Sequence, residues 1–201
     1  MTALSFDPIA HEYRLNGFVV PSVTQALSIF DDFSGIPKDT LEYARDRGTA
    51  AHTATALYDQ SNLDLSSVDP VVKPYLDAWM KFCDELNFSP DHIEARVYSK
   101  KYQYAGTLDR VGTIKHPWGL EDVILDIKTT AVISASTGPQ LAAYDQAGKE
   151  SIPDWPKKMP RYTVQLRNDG SYRMHCHEDK ADLSVFLAAL TVHNFRRAKC
   201  K

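Results

Sequence analysis

Asp126-Ile127-Lys128 closes the apolar run Val123-Ile124-Leu125. Side chains alternate along a strand, so Asp126 and Lys128 share one face and Ile127 takes the other. Burying a carboxylate and an ammonium is costly unless something compensates them. A divalent cation with a phosphate beside it would do so. Asp109, seventeen residues earlier at the end of Ala105-Gly106-Thr107-Leu108-Asp109, lies in a second strand-like segment. Two acids and a lysine converging from adjacent strands have the composition of a metal-dependent phosphodiester-cleaving site. The acids fix the ion, and the lysine meets the charge that develops on phosphorus oxygens.

Asp109 and Asp126 would supply oxygen ligands, a hard donor set suited to Mg²⁺ or Mn²⁺, and the backbone carbonyl of Ile127 could add another. Lys128 would hold the scissile phosphate or orient the attacking water, as a compact charge on a stiff strand. Glu94, fifteen residues before Asp109, reads either as a further ligand or as an ordinary outward-facing acid. His52 follows Arg47-Gly48-Thr49 on a helical stretch; its imidazole could ligate a borderline ion such as Mn²⁺ or be a structural histidine. Gln140 and Tyr144 stand four residues apart on a predicted helix and share a face. That face could contact a nucleotide backbone, stack on a base, or be a half-polar helix surface. An Asp-x-Lys triplet alone describes an exposed strand equally well. Its company carries the chemistry.

The elements that must position these residues can be read from periodicity. A hairpin is expected at His11–Leu15 and Phe18–Val20 across Asn16-Gly17. Pro21-Ser22 introduces a helix with a capping box, Ser22-Val23-Thr24-Gln25. A polar loop leads to a helix from near Thr40 to about Tyr58. Val72, Tyr75, Leu76, Trp79, Phe82, Cys83 and Leu86 recur at helical spacing between Pro70 and Leu86. Three strands follow, at Ile93–Ser99, Tyr104–Ile114 and Asp122–Lys128, with a turn at Pro117-Trp118-Gly119. A helix over Thr137–Gly148, a proline-rich stretch from Ile152 to Pro160, a hairpin at Arg161–Leu166 and Ser171–Cys176, and a last helix over Lys180–Ala198 complete the pattern. The fold class is α/β, a central mixed β-sheet flanked by helices, in one domain spanning 1–201.

The 201 residues, 43% hydrophobic and 24% charged, are enough for a core without staples. No apolar run reaches membrane-spanning length and the first residues lack a signal-peptide pattern, so a cytoplasmic protein with no membrane partner is expected. Cys83, Cys176 and Cys200 are too scattered for a disulfide framework or a zinc or iron–sulfur site. The net charge of −3 does not by itself suggest nucleic acid. Basic candidates for a phosphate footprint are Lys100-Lys101, Lys157-Lys158 with Arg161, and Arg196-Arg197-Lys199-Lys201; each can equally be a solvated surface run.

Taken in order, the motifs Gly48-Thr49-Ala50-Ala51-His52, Glu94, Gly106-Thr107-Leu108-Asp109, Asp126-Ile127-Lys128 and Gln140-Leu141-Ala142-Ala143-Tyr144 resemble the PD-(D/E)XK nuclease superfamily, in its RecB-like exonuclease branch. The motif-bearing core runs from about 45 to 148, and the chain looks like the short stand-alone exonucleases of phages and prophages. The resemblance implies a restriction-endonuclease-like core and a Mg²⁺- or Mn²⁺-dependent deoxyribonuclease. It implies Asp109 and Asp126 as metal-binding acids, Lys128 as the catalytic lysine, His52 as an added ligand and Glu94 as the acid from the preceding strand. Gln140 and Tyr144 would position the DNA strand, and Arg47 and Thr129 are plausible phosphate contacts. Some relatives carry an iron–sulfur cluster; the cysteines here do not reproduce its pattern, and no cluster is expected. No helicase motif is present, so unwinding would come from a recombination or helicase partner. The alternatives are a structure- or sequence-specific DNA endonuclease and a non-catalytic DNA-binding protein on the same fold; retention of both acids and the lysine weighs against the latter.

Overall fold

The computed structural model describes residues 3–199; Cys200 and Lys201 of the sequence reading lie outside them. A five-stranded mixed sheet, in the order β4-β5-β6-β7-β8, organises the molecule. Its strands are β4 (Ser89–Ser99), β5 (Tyr104–His116), β6 (Gly119–Lys128), β7 (Arg161–Leu166) and β8 (Tyr172–Cys176). All neighbours are antiparallel except β6 and β7, which run parallel. That parallel pair needs a crossover, supplied by helix α4 (Thr137–Ser151). A smaller antiparallel sheet comprises β1 (Leu4–Asp7), β2 (Glu12–Leu15) and β3 (Phe18–Val20).

Helices cover both faces of the large sheet, as a buried parallel pair requires. On one side lie α1 (Val23–Leu27), α4 and α5 (Asp182–Lys199), joined to the sheet through Leu108, Val111, Ile124, Leu141, Tyr144 and Phe186. On the other lie α2 (Lys38–Asp59) and α3 (Lys73–Leu86), with Trp79, Phe82, Val123, Leu125, Ile127 and Val164 between them and the sheet. The alternation of β6 is thus realised residue by residue: Val123, Leu125 and Ile127 face α2 and α3, whereas Ile124 joins the α4 cluster. The apolar stripe of α3 is core, and Trp79 stacks on Phe82 at 5.0 Å.

Several boundaries move. β4 begins at Ser89 and runs through Pro90, which lies opposite Gly112; a β-bulge between Pro90 and His92 leaves Asp91 without a partner. α3 begins at Lys73 rather than Pro70, its N-cap being Val72. β6 begins at Gly119, since the Pro117-Trp118 turn is only two residues long. Strand β1 has no counterpart in the sequence reading; it pairs Leu4 with Leu15 and extends the predicted hairpin to three strands. That hairpin turns where expected, with Asn16 at φ 51° and Gly17 at φ 85°, the left-handed pair a two-residue hairpin demands. The Ser22 capping box is formed, with Ser22 Oγ accepting from Gln25 N–H and Gln25 Oε1 accepting from Ser22 N–H. No helix among the described residues is long and apolar enough to cross a membrane.

Candidate active site

Asp109 sits at a fault in the sheet. The β5–β6 ladder stops at Arg110 opposite Leu125, and beyond it Asp109 Oδ2 accepts the amide N–H of Ile127 at 2.7 Å. On the other edge, pairing with β4 runs from Ile93–Arg110 to Ala95–Leu108 and leaves Glu94 and Asp109 unpaired between them. Glu94 has φ 48° in the middle of a strand. A non-glycine residue held there costs about 1–3 kcal/mol, and such strain persists only where surroundings enforce it. The side-chain alternation of β5 slips at the same point: Leu108 packs in the α4 cluster, while Arg110 points to the α2–α3 side and lies over Trp79.

Arg110 is what enforces it. Its guanidinium is fully buried and donates from Nε to Asp59 Oδ2 (2.6 Å), from Nη1 to Glu94 Oε1 (3.0 Å) and to the Asp109 carbonyl (2.7 Å), and from Nη2 to Thr55 Oγ1 (3.2 Å). Asp59 is held in turn by Trp79 Nε1 at 2.8 Å. A buried arginine needs this many acceptors to offset its desolvation.

Three side chains converge above the fault. His52 Nδ1, from α2, stands 3.6 Å from Asp109 Oδ1 and 3.9 Å from Glu94 Oε1. One ligand atom from each of the three lies within 4.8 Å of the other two. Two carboxylate oxygens and an imidazole nitrogen fit a divalent cation of the hard or borderline kind. Asp126, the other predicted ligand, adjoins the group without being one of the three. Its Oδ1 accepts from Lys128 Nζ at 2.7 Å and from Gln140 Nε2 at 3.0 Å. Its Oδ2 is buried with no partner, an orphaned acceptor that a cation would satisfy. The amide N–H of Ile127 is taken by Asp109 Oδ2.

The charges are strongly coupled. Burial disfavours the His52 imidazolium, but the carboxylates of Asp109 and Glu94 outweigh both that and the Lys128 charge, raising its pKa to about 9. Burial raises the Asp126 carboxyl above its ordinary value, with Lys128 opposing and Asp109 adding to the shift. For Lys128 burial acts to lower the pKa, yet Asp126 and Asp109 prevail and raise it, keeping the head group an ammonium. Tyr144 is driven well above the phenol range by burial, and then by Asp109 and Asp126.

His52, Glu94, Asp109, Lys128, Gln140 and Tyr144 line one cavity of about 710 Å³, with Asp126 buried behind its wall. Gln140 and Tyr144 come from α4, most of which is buried, and not from a half-polar surface helix. Gly106 makes room for Tyr144: a Cβ there would lie 2.7 Å from Tyr144 Cε1. Arg47 and Thr129 are elsewhere, in a separate cavity of about 340 Å³ shared with Tyr75, Gln165 and Arg167. Arg47 stacks over Tyr75 at 5.3 Å and donates to the Thr129 carbonyl at 3.4 Å.

Sequence reasoning did not single out Arg110, Asp59 or Thr55, nor the contribution of the small sheet. Tyr13 of β2 is joined to Thr107 of β5 by a 2.7 Å hydroxyl–hydroxyl hydrogen bond, and Phe6, His11 and Arg96 also line the main cavity. The signal for Arg110 was present: an arginine inside an apolar strand is the same buried-charge anomaly that marked Asp126. Of the basic candidates, Arg161 is committed to structure through Asp182 at 3.0 Å and the Gly138 carbonyl. Lys101 lies over the Tyr102 ring, and Arg196 and Arg197 border a cavity beside α5.

No protein-family model matches the chain and no curated protein matches it, so the chemistry of the site itself carries the functional reading.

Proposed function

We propose that this chain is a Mg²⁺- or Mn²⁺-dependent DNA exonuclease, related to the RecB-like branch of the PD-(D/E)XK superfamily, acting in recombination, repair or phage DNA metabolism. One observation carries the reading: the His52–Glu94–Asp109 ligand group stands beside the Asp126–Lys128 pair, at a point where both neighbouring strand ladders open. A mixed sheet flanked by helices agrees with the restriction-endonuclease-like core that the motifs imply.

His52, Glu94 and Asp109 would hold the ion, with Asp126 Oδ2 as the further acceptor. When bound, such an ion polarises the phosphoryl oxygen and lowers the pKa of water. Lys128 carries its charge to the cavity on a strand end and is fixed by Asp126, so it meets a scissile phosphate without losing side-chain freedom at that moment. Gln140 steadies the same Asp126 oxygen, and the Tyr144 phenol stays protonated as a donor.

The test compares the parent with Asp109→Asn and Lys128→Met on end-labelled linear DNA and on closed circular DNA, in Mg²⁺ and in Mn²⁺. Degradation of linear DNA alone, abolished in both variants, is expected. Undiminished degradation by Asp109→Asn would overturn the reading, and cleavage of the closed circle would replace the exonuclease with an endonuclease.

A further inference from the structure

The chain leaves β6 at Lys128 and crosses residues 129–136 without helix or strand before α4 begins. Successive carbonyls at the start of this crossing are taken by side chains. Arg47 Nη2 donates to the Thr129 carbonyl at 3.4 Å, and Gln165 Nε2 donates to those of Thr130 (2.8 Å) and Ala131 (3.0 Å). The Thr130 hydroxyl donates to the Val132 carbonyl at 2.9 Å. Gln165 stands directly beside Lys128 in the β6–β7 pairing and is only 5% exposed. Its amide reaches past the lysine to the chain beyond it. The amide is itself held: with Nε2 turned to the carbonyls, Oε1 faces His175 Nε2 at 3.0 Å, and an amide oxygen only accepts. His175 therefore carries a proton on Nε2. Burial, and then Arg173 and Arg167, keep its pKa below the ordinary value, so the ring is neutral.

We propose that Gln165, held by His175, is a positioning residue for Lys128: it clamps the chain leaving β6 so that the ammonium is presented at a fixed place in the cavity. The lysine is then fixed at both ends. Asp126 Oδ1 accepts from Nζ at 2.7 Å, and the clamp holds the backbone from which the flexible four-carbon stem springs. The same clamp sets the approach to α4, whose Gln140 donates to that Asp126 oxygen. A merely structural reading makes Gln165 a buried amide that satisfies its own hydrogen-bonding groups. It does not account for the choice of partners, because Thr130 and Ala131 are exposed residues whose carbonyls water would otherwise solvate. What the amide adds is a single path for the chain. A displacement of about 1 Å can cost about 10²-fold in rate, so that path matters to a charge that acts in the transition state. The inference rests on the nuclease reading for what Lys128 does, but not for how it is held.

The experiment compares the parent with Gln165→Met, which keeps the side-chain volume and loses the donors, and with His175→Ala, each first shown to be folded by its urea transition. Initial velocities on linear DNA in Mn²⁺ are expected to show kcat lowered by about 10–100-fold in Gln165→Met. KM and Mn²⁺ affinity stay as in the parent, because Gln165 borders a cavity separate from the ligand group. In a Lys128→Met background the same substitution costs no further rate, whereas a general loss of order would add to it. Acylation of lysines by an N-hydroxysuccinimide ester, counted by mass spectrometry, needs no activity. Gln165→Met raises the rate at Lys128 severalfold and leaves unchanged that at Lys115, exposed near the far end of β5. His175→Ala moves both readouts the same way, and decides the question if Gln165→Met does not fold. Parent-like acylation of Lys128 in Gln165→Met, or a full further loss of rate in the Lys128→Met background, overturns the clamp. If Lys128 acylation rises and the parent degrades no DNA in either metal, the nuclease reading fails alone. If the parent degrades DNA and Gln165→Met matches it in rate and acylation, only the clamp fails.

Discussion

Arg110 Nη1 donates to Glu94 Oε1 at 3.0 Å, joining a fully buried guanidinium to the residue whose backbone is held at φ 48°. The two lie on neighbouring strands at the place where the ladder between them is interrupted. Arg110 thus ties the α2–α3 core, through Asp59 and Trp79, to an acid of the ligand group. It is a positioning residue.

Arg110→Met is expected to cost about 3–5 kcal/mol in urea unfolding, because Asp59 is left buried and uncompensated. Arg110→Lys keeps the charge but not the fork, and is expected to lose less stability while weakening Mn²⁺ binding by about 10–100-fold, the usual effect of removing a residue that orients a ligand. Titration calorimetry on the folded Lys variant separates the two effects. Normal Mn²⁺ affinity there would show that Glu94 is held without Arg110 or is not a ligand.

Mn²⁺ at a hundred times its dissociation constant should stabilise the parent by about 2.7 kcal/mol. For a domain of this size that raises Tm by roughly 5–10 °C. His52→Ala and Asp109→Ala should show little of the shift, and EDTA should reverse it in the parent. An equal shift in all three proteins, followed by differential scanning fluorimetry, would place metal binding outside the His52–Glu94–Asp109 group.

Lys128→Met removes the Nζ that Asp126 Oδ1 accepts at 2.7 Å. The lysine side chain keeps 26% of its surface exposed, so the stability cost should fall below that of a fully buried pair, about 2 kcal/mol. The loss of cleavage should be far larger, roughly 10²–10³-fold, since the charge acts where negative charge develops. A variant that loses stability and rate in the same proportion, measured by unfolding and initial velocities at saturating metal, would reduce Lys128 to a structural partner of Asp126.

The same-face reading of Asp126 and Lys128 was legible because β6 is regular and its alternation survives intact, as the split of Ile124 from Leu125 and Ile127 shows. The neighbourhood of Asp109 was less so. Alternation there predicts Leu108 and Arg110 on one face, whereas the irregularity at Glu94 sends them to opposite faces, and nothing in the residue types announces a left-handed glutamate within a strand. The family resemblance implies Arg47 as a phosphate contact at the site to which His52, five residues on, belongs. Five residues on a helix turn through roughly 140° beyond a full rotation, and Arg47 accordingly lies against Tyr75 in a different cavity. The small sheet's role depends on a docking contact, Tyr13 with Thr107, between segments 94 residues apart, which no local pattern encodes.

Gly106 and Tyr144 offer a direct measure of how tightly the site is packed. A Cβ at Gly106 would lie 2.7 Å from Tyr144 Cε1 and 3.3 Å from Val23 Cγ2, with the ring held at 4% exposure. Gly106→Ala should therefore destabilise by about 1–3 kcal/mol through overpacking. It should also displace the phenol from the cavity that Asp109 and Lys128 line. In a Tyr144→Ala background the added methyl has space, so the cost of Gly106→Ala should shrink by more than half, a coupling that a double-mutant cycle on unfolding free energies resolves. Additive effects would mean that Val23 or the strand backbone, and not the Tyr144 ring, sets the need for glycine here. The coupling would also explain why a glycine three residues before Asp109 and a tyrosine four residues after Gln140 occur in one chain: the first opens the space in which the second reaches the cavity.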